Sequence, residues 1–250
     1  MSMENATTFG REAAQYRAAR PGYPEALYRW IAGAVGARDL VWDVGTGSGQ
    51  AALRLAADFA QVLATDIDAE QIAQAPQREG VRYRVAPAHR SGLEDGCVDA
   101  VTAATALHWF DHARFWPEVR RVARAGAVFC SWTYHRVETD EDVRAALIDP
   151  LEGILDPYWS QANRRSWRGY DPGQMGMPFE VIAAPDFACE LSWTPREIAG
   201  FVRSWSAHRR AVLDGHGAGL AQIEAEGLAA LGDARRRLVL PLHVLAARVA

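Results

Sequence analysis

The chain has 250 residues, 49% of them hydrophobic, and a formal net charge of −4, which suits one large domain or one domain with an insertion. All 27 basic residues are arginine; a P-loop and Schiff-base chemistry both need a lysine and are therefore excluded. Scattered arginines on a mildly acidic chain do not make the basic face of a nucleic-acid binder, and the isolated Cys97, Cys130 and Cys189 fit neither a disulfide framework nor a zinc knuckle.

The first residues, "MSMENATTFGREAAQYRAAR", hold no apolar leader, and no window approaches the roughly 18 apolar residues of a membrane span. A soluble, cytoplasmic protein with no membrane partner is expected. Pro21 and Pro24 precede a predicted helix over 25–34. "DLVWDVG" (39–45) is an apolar run closed by glycine, the pattern of a buried parallel strand. A helix over 50–59, a strand over 60–66 and a short helical stretch from Ala69 follow. Strands are predicted at 80–86 and 97–104, a helix at 115–124 and a fifth strand at 125–134. This alternation predicts an α/β fold: a Rossmann-like, seven-stranded, mostly parallel sheet with helices on both faces.

Residues 137–155 read as helix, and 156–180 as a long irregular stretch rich in Gly, Pro, Arg and Trp, the mark of a lid or binding loop. A strand at 187–193 and a helix at 194–206 restore order. Thr194 is placed as that helix's N-cap, with Pro195 first and Glu197 completing a capping box. The last strand, 235–250, is expected to run antiparallel, and Pro241 within it predicts an edge or a bulge. The expected organisation is one domain: a capping segment 1–36, a core 37–135, a lid or insertion 136–186 between strands five and six, and a closing unit 187–250.

"VWDVGTGSGQ" (41–50) carries the strongest signal. Gly45, Gly47 and Gly49 stand where a strand turns into a helix, allowing positive φ and close approach of a ligand to backbone. The pattern is DxGxGxG, with Asp43 expected at the mouth of the site. A carboxylate there repels the pyrophosphate of a dinucleotide but suits the cationic ammonium and sulfonium of S-adenosylmethionine. Asp66 ends the next strand about 20 residues further on, placed for ribose hydroxyls. A plain turn with Asp43 as a cap is the bland alternative.

Together with "VLATDIDAEQIAQA", "VAPAHRSGLEDGCVDAVTAATALHWFD" and "YRAARPGYP", the glycine motif resembles the type 11 class I methyltransferases, in the branch similar to trans-aconitate methyltransferase. The resemblance covers residues 9–135 well and "SWSA" and the last strand weakly. It implies that Gly45, Gly47 and Asp43 line the methionine end of the cofactor, with Thr46 and Gly49 in the same loop. It further implies Asp66 on the ribose, Ile67 under the adenine, Ala88 and His89 at the adenine edge, and Thr105 facing the methionine portion. The branch commonly reads APAE where this chain reads APAH, so His89 replaces a carboxylate acceptor.

"TALHWFD" (105–111) follows the fourth strand, where ligands of this fold sit. His108 and Trp109 are expected in the wall between cofactor and acceptor. His108 is the candidate base for a hydroxyl acceptor, or else a structural hydrogen bond. A carboxylate acceptor needs no base but needs an arginine clamp, for which "NRRSWRGY" offers Arg164, Arg165 and Arg168; a solvated helix face is the alternative. Tyr16, Arg20, Trp132 and Trp205 complete the candidate substrate residues, with core or lid packing the bland reading of most tryptophans. His108 and His112 have helical spacing but no third ligand nearby, so no metal is expected. The expected function is methylation of a small molecule, at a carboxylate or a hydroxyl. A non-catalytic cofactor-binding protein, or N- or C-methylation, remains the alternative. A nucleic-acid methyltransferase lacks its [DN]PP[YFW] run here.

Overall fold

The computed structural model describes residues 21–249. Helix α1 (Glu25–Ala34) opens from Pro24. Strand β1 (Leu40–Val44), helix α2 (Gln50–Leu55), β2 (Gln61–Asp66), α3 (Ala69–Ala73) and β3 (Val81–Val85) follow. The second half-sheet is β4 (Val98–Ala104), α4 (His112–Val122) and β5 (Ala123–Tyr134). The order β3-β2-β1-β4-β5 reverses between β1 and β4, and all four pairings are parallel. That reversal opens the crevice at the carboxyl ends of β1 and β4 where α/β sheets bind ligands.

Both faces of the sheet are covered, so its strands are apolar on both sides. Val41 and Val128 join one core with α1, α2 and the C-terminal helices; Trp42 and Phe129, their chain neighbours, join the other beneath α4. The indole of Trp42 donates to Thr65 Oγ1 at 2.8 Å, so this fully buried ring leaves no polar atom unpaired.

Nine strands are present among the described residues, where seven were expected. The additions, β6 (Glu138–Thr139) and β7 (Glu180–Val181), are two residues each, too short for a period to register. Both pair with the last strand, β9 (Arg236–Arg248), as does β8 (Phe187–Trp193). β9 is antiparallel to β5 and to β8, so Pro241 is not on an edge; it stands where the pairing passes from Tyr134–Leu242 to Glu138–Val239 and the register shifts by one residue. The hydrogen bonding there accommodates it. N–H and C=O of one strand residue point to the same side, and the Pro241 carbonyl accepts from His135 N–H at 2.8 Å. The missing N–H therefore faces the gap between the end of β5 and the start of β6, while Pro241 stands opposite Ala188 of β8 without a ladder bond to lose.

Residues 141–155 form α5 (Glu141–Val143), a π turn (Arg144–Ile148) and α6 (Asp149–Leu155). The stretch expected to be irregular contains a 3₁₀ turn (Asp156–Tyr158) and α7 (Gln161–Ser166), capped by Ser160. It then buries Tyr170, Met175 and Phe179 in the second core. Helix α8 (Pro195–Arg203) carries the expected Thr194–Glu197 capping box; α9 (Ser206–Ala211) and α10 (Gly217–Leu231) complete the helices.

Candidate active site

The loop after β1 has three left-handed glycines, Gly45 (φ 68°), Gly47 (φ 56°) and Gly49 (φ 84°). A Cβ at Gly45 would lie 2.6 Å from Ala106 Cβ, and one at Gly49 2.5 Å from the Tyr83 hydroxyl. At Gly47 nothing lies nearer than 3.8 Å, so the loop is packed on two sides and open on the third.

Asp43 is not at the mouth of this loop but fully buried beneath it. Its carboxylate accepts from Thr46 Oγ1 at 2.5 Å and Thr102 Oγ1 at 2.8 Å, bracing the loop against β4. Burial outweighs those two bonds and pushes its pKa up to about 6. Asp66 ties the same loop to the next turn, accepting from Gly47 N–H at 2.8 Å and Asp68 N–H at 2.9 Å. Each of its oxygens keeps a further lone pair.

A cleft of about 340 Å³ opens above this loop. Gly45, Gly47, Asp66, Ile67, Ala88, His89 and Thr105 line it, as the motif reading expects; so does Trp109, which lies on the cofactor side alone. Thr46 and Gly49 shape the loop from behind and do not line the cleft. Ile67 is 42% exposed, an unusual apolar surface that offers a flat ring a platform. Asp68 was missed. It caps α3 through Oδ1, accepting from Glu70 and Gln71 N–H, while its Oδ2 is buried without a partner on the cleft wall. Its signal was present, two residues beyond Asp66 in the same turn. Phe110 and Arg114 were missed as well.

A second cavity, of about 140 Å³, lies beyond the 3₁₀ turn Leu107–Trp109. Thr105 lines both cavities, at φ 52°, the one non-glycine residue with positive φ among the described residues. His108 lines only the second. Its ring is buried, and Nδ1 is 2.8 Å from the Tyr170 hydroxyl; Nε2 has no partner among the described residues. Burial first, then the charges of Arg165 and His112, depress its pKa to about 3, so the imidazole is neutral.

Trp205 lines the second cavity, together with Trp159, Trp167 and Phe201. Trp132 does not: it is fully buried in the core, edge-on to Tyr23 and Tyr28. Arg168 is exposed and away from the lining, and Arg164 is paired with Asp156 at 3.1 Å. Tyr16 and Arg20 lie outside the described residues. The lining also includes residues the motif reading missed, namely Thr133 and Tyr134 at the end of β5, His135 and Arg136 just after it, and Glu152 and Asp156. The first four sit at the carboxyl end of a strand, where they were findable; Glu152 comes from α6 and Asp156 from the 3₁₀ turn after it, with no cue of their own. His112 is turned elsewhere, its Nε2 2.9 Å from the Leu107 carbonyl, and no group of three metal-binding side chains occurs among the described residues. No helix among them is long and apolar enough to cross a membrane.

A sheet reversed at β1–β4, a left-handed glycine loop and an acid at the end of β2 define a class I nucleoside-type cofactor fold. Residues 42–143 match the family model described as a methyltransferase domain. The chain is 30% identical over 212 residues to a protein of Dictyostelium discoideum named as a methyltransferase, covering 83% of this chain and 80% of that one. A match to an uncharacterized methyltransferase of Mycobacterium tuberculosis is 37% identical, across 48% of this chain and 49% of the relative. Among solved structures, one named as a type II methyltransferase from Anaeromyxobacter dehalogenans superposes with a TM-score of 0.83 at 39% identity, covering 92% of this chain and 98% of that one. The chain belongs to the type 11 methyltransferases, class I enzymes that use S-adenosylmethionine and act on small molecules. The cradle fits that cofactor: an open Gly47, an exposed Ile67 and a buried, unpartnered Asp68 oxygen face one cleft.

Proposed function

We propose that this enzyme methylates a hydroxyl oxygen of a small acceptor held in the second cavity. Gly45, Gly47, Asp66, Ile67, Ala88 and His89 then serve as cofactor contacts in the first. The observation that carries the reading is Thr105, common to both cavities, beside a neutral His108 that turns Tyr170 one nitrogen and keeps the other unpartnered. When bound, S-adenosylmethionine supplies a methyl group on a sulfonium, a leaving group already activated. What remains for the protein is alignment and exclusion of water. In-line transfer requires the acceptor to meet the methyl from the far side, which a junction at Thr105 supports. With Nδ1–H directed at the Tyr170 oxygen, His108 Nε2 is an acceptor for the substrate O–H. It takes that proton as the new C–O bond forms, so the cation lost at sulfur is balanced by an imidazolium.

A carboxylate acceptor, which the likeness to trans-aconitate methyltransferase favours, is served less well. Glu152 and Asp156 line the cavity against a single arginine, Arg136, among the described residues. The test is a screen with methyl-labelled cofactor over matched alcohols, phenols and acids. A product whose label survives mild alkali and is released as methyl iodide by hydriodic acid is an ether and supports the reading; release of methanol by alkali identifies an ester and overturns it, as does a label that resists both treatments.

A further inference from the structure

Four aromatic rings in the second cavity stand close to perpendicular in pairs. Trp159 meets Trp167 at 79° with centroids 4.7 Å apart, and Phe201 meets Trp205 at 85° and 5.6 Å. Trp159 and Trp205 are neighbours at 5.5 Å, so the four rings form one continuous corner. Crossed ring faces are the arrangement that receives an alkylated ammonium, through its attraction to the ring quadrupoles.

Glu152 supplies the matching charge. It lines the same cavity, half-buried, and makes no hydrogen bond with the described residues; Arg144 reaches it only at 3.8 Å while bonded to Asp149. Burial raises its pKa, as expected of a carboxylate short of a partner. Asp156 on the same wall is already paired with Arg164. With Asp156 neutralised by Arg164, Glu152 and Arg136 are the remaining charged side chains of the lining, and Glu152 is the carboxylate there without a hydrogen bond from the described residues. A cationic ligand supplies Glu152 with that partner, and an anionic one does not.

We infer that the acceptor is a small amino alcohol: a hydroxyl presented to His108, and an ammonium group received by the Trp159–Trp205 corner and Glu152. This rests on the reading of the second cavity as the acceptor site. A space of about 140 Å³ suits a molecule of roughly benzene size, since a cavity of about 150 Å³ holds benzene.

The test is calorimetric titration of the protein, loaded with S-adenosylhomocysteine, using three isosteric probes: choline, uncharged 3,3-dimethylbutan-1-ol and 3,3-dimethylbutanoate. Choline is expected to bind at least about tenfold tighter than the neutral alcohol, with the carboxylate weakest. Glu152→Gln is expected to bring choline and the alcohol within about twofold of one another and leave the S-adenosylhomocysteine affinity unchanged, which also certifies the fold. Equal affinities in the wild type, a preference for the carboxylate, binding of none of the three, or a choline preference that survives Glu152→Gln each overturn the inference. A choline preference without methyl transfer to any alcohol would instead leave the cation site standing and sink the hydroxyl-methylation reading.

Discussion

The Tyr23 hydroxyl lies 3.0 Å from Thr105 Oγ1, joining the segment before α1 to the strained residue between the two cavities. Tyr23 also stacks on Tyr134, and the Pro21 carbonyl accepts from Tyr134 and from Gln50 of α2. The left-handed backbone of Thr105 costs on the order of 1–3 kcal/mol, held in part by its N–H bond to the Trp132 carbonyl at 2.7 Å.

Thr105→Gly removes that strain and also the Tyr23 bond, itself worth about 1 kcal/mol. Stability measured by urea unfolding should stay within about 1 kcal/mol of wild type. Methyl transfer should fall at least about tenfold, because alignment across the junction is lost. Unchanged turnover would remove Thr105 from the alignment of cofactor and acceptor.

Gly49 and Tyr83 form a second testable pair. An alanine at Gly49 must hold φ 84° and place its Cβ 2.5 Å from a phenol oxygen that is buried and without a partner. The expected cost is about 2–4 kcal/mol by chemical denaturation. Tyr83→Phe deletes the orphaned hydroxyl, so alone it should be neutral or stabilising. In the double variant it should return part of the Gly49→Ala loss; strict additivity would count against the contact.

What the sequence made legible was set by short-range rules. The β1 glycines, Asp66 and the Thr194 capping box are local motifs, and each stands where its spacing required. Asp43 shows the limit of such reading. Its place before Gly45 was plain, but its depth depends on Thr102, 59 residues away on a strand that packs beside it. Likewise Trp132 and Trp205 look alike in sequence and both join the first core, and only the position of Trp205 on the turn before α9 makes it cavity wall as well. The aromatic corner joins residues 159, 167, 201 and 205 from separate helices and turns, which no periodicity announces.

Asp43 also predicts a pH effect. Its folded pKa of about 6 lies above the ordinary 3.8 of an aspartate, so between these values the folded state binds the proton more tightly. Stability from this group therefore rises as pH falls from about 6 towards 4, by at most about 3 kcal/mol. Asp43→Asn should abolish that gain, so wild type minus variant, from unfolding at pH 7 and pH 4.5, should shift in favour of wild type at the lower pH. A difference independent of pH would mean that Asp43 is not protonated in that window.

His108 should act in the opposite sense over an overlapping range. Its folded pKa of about 3 lies below the ordinary 6.5 of a histidine, so below pH 6.5 the unfolded chain takes a proton that the folded one refuses. Stability is lost as pH falls from about 6.5 towards 3, by up to about 5 kcal/mol. His108→Gln should flatten that loss, and turnover in the wild type should show no inflection between pH 6 and 7 arising from this residue. Tyr170→Phe leaves His108 Nδ1 buried and unpaired, with a stability cost of about 1–3 kcal/mol. If Tyr170 acts by fixing the imidazole, the variant should lose turnover and keep its S-adenosylhomocysteine affinity, since Tyr170 lines neither cavity. A parallel loss of cofactor affinity would mark Tyr170 as general support for the fold rather than a positioning residue for His108.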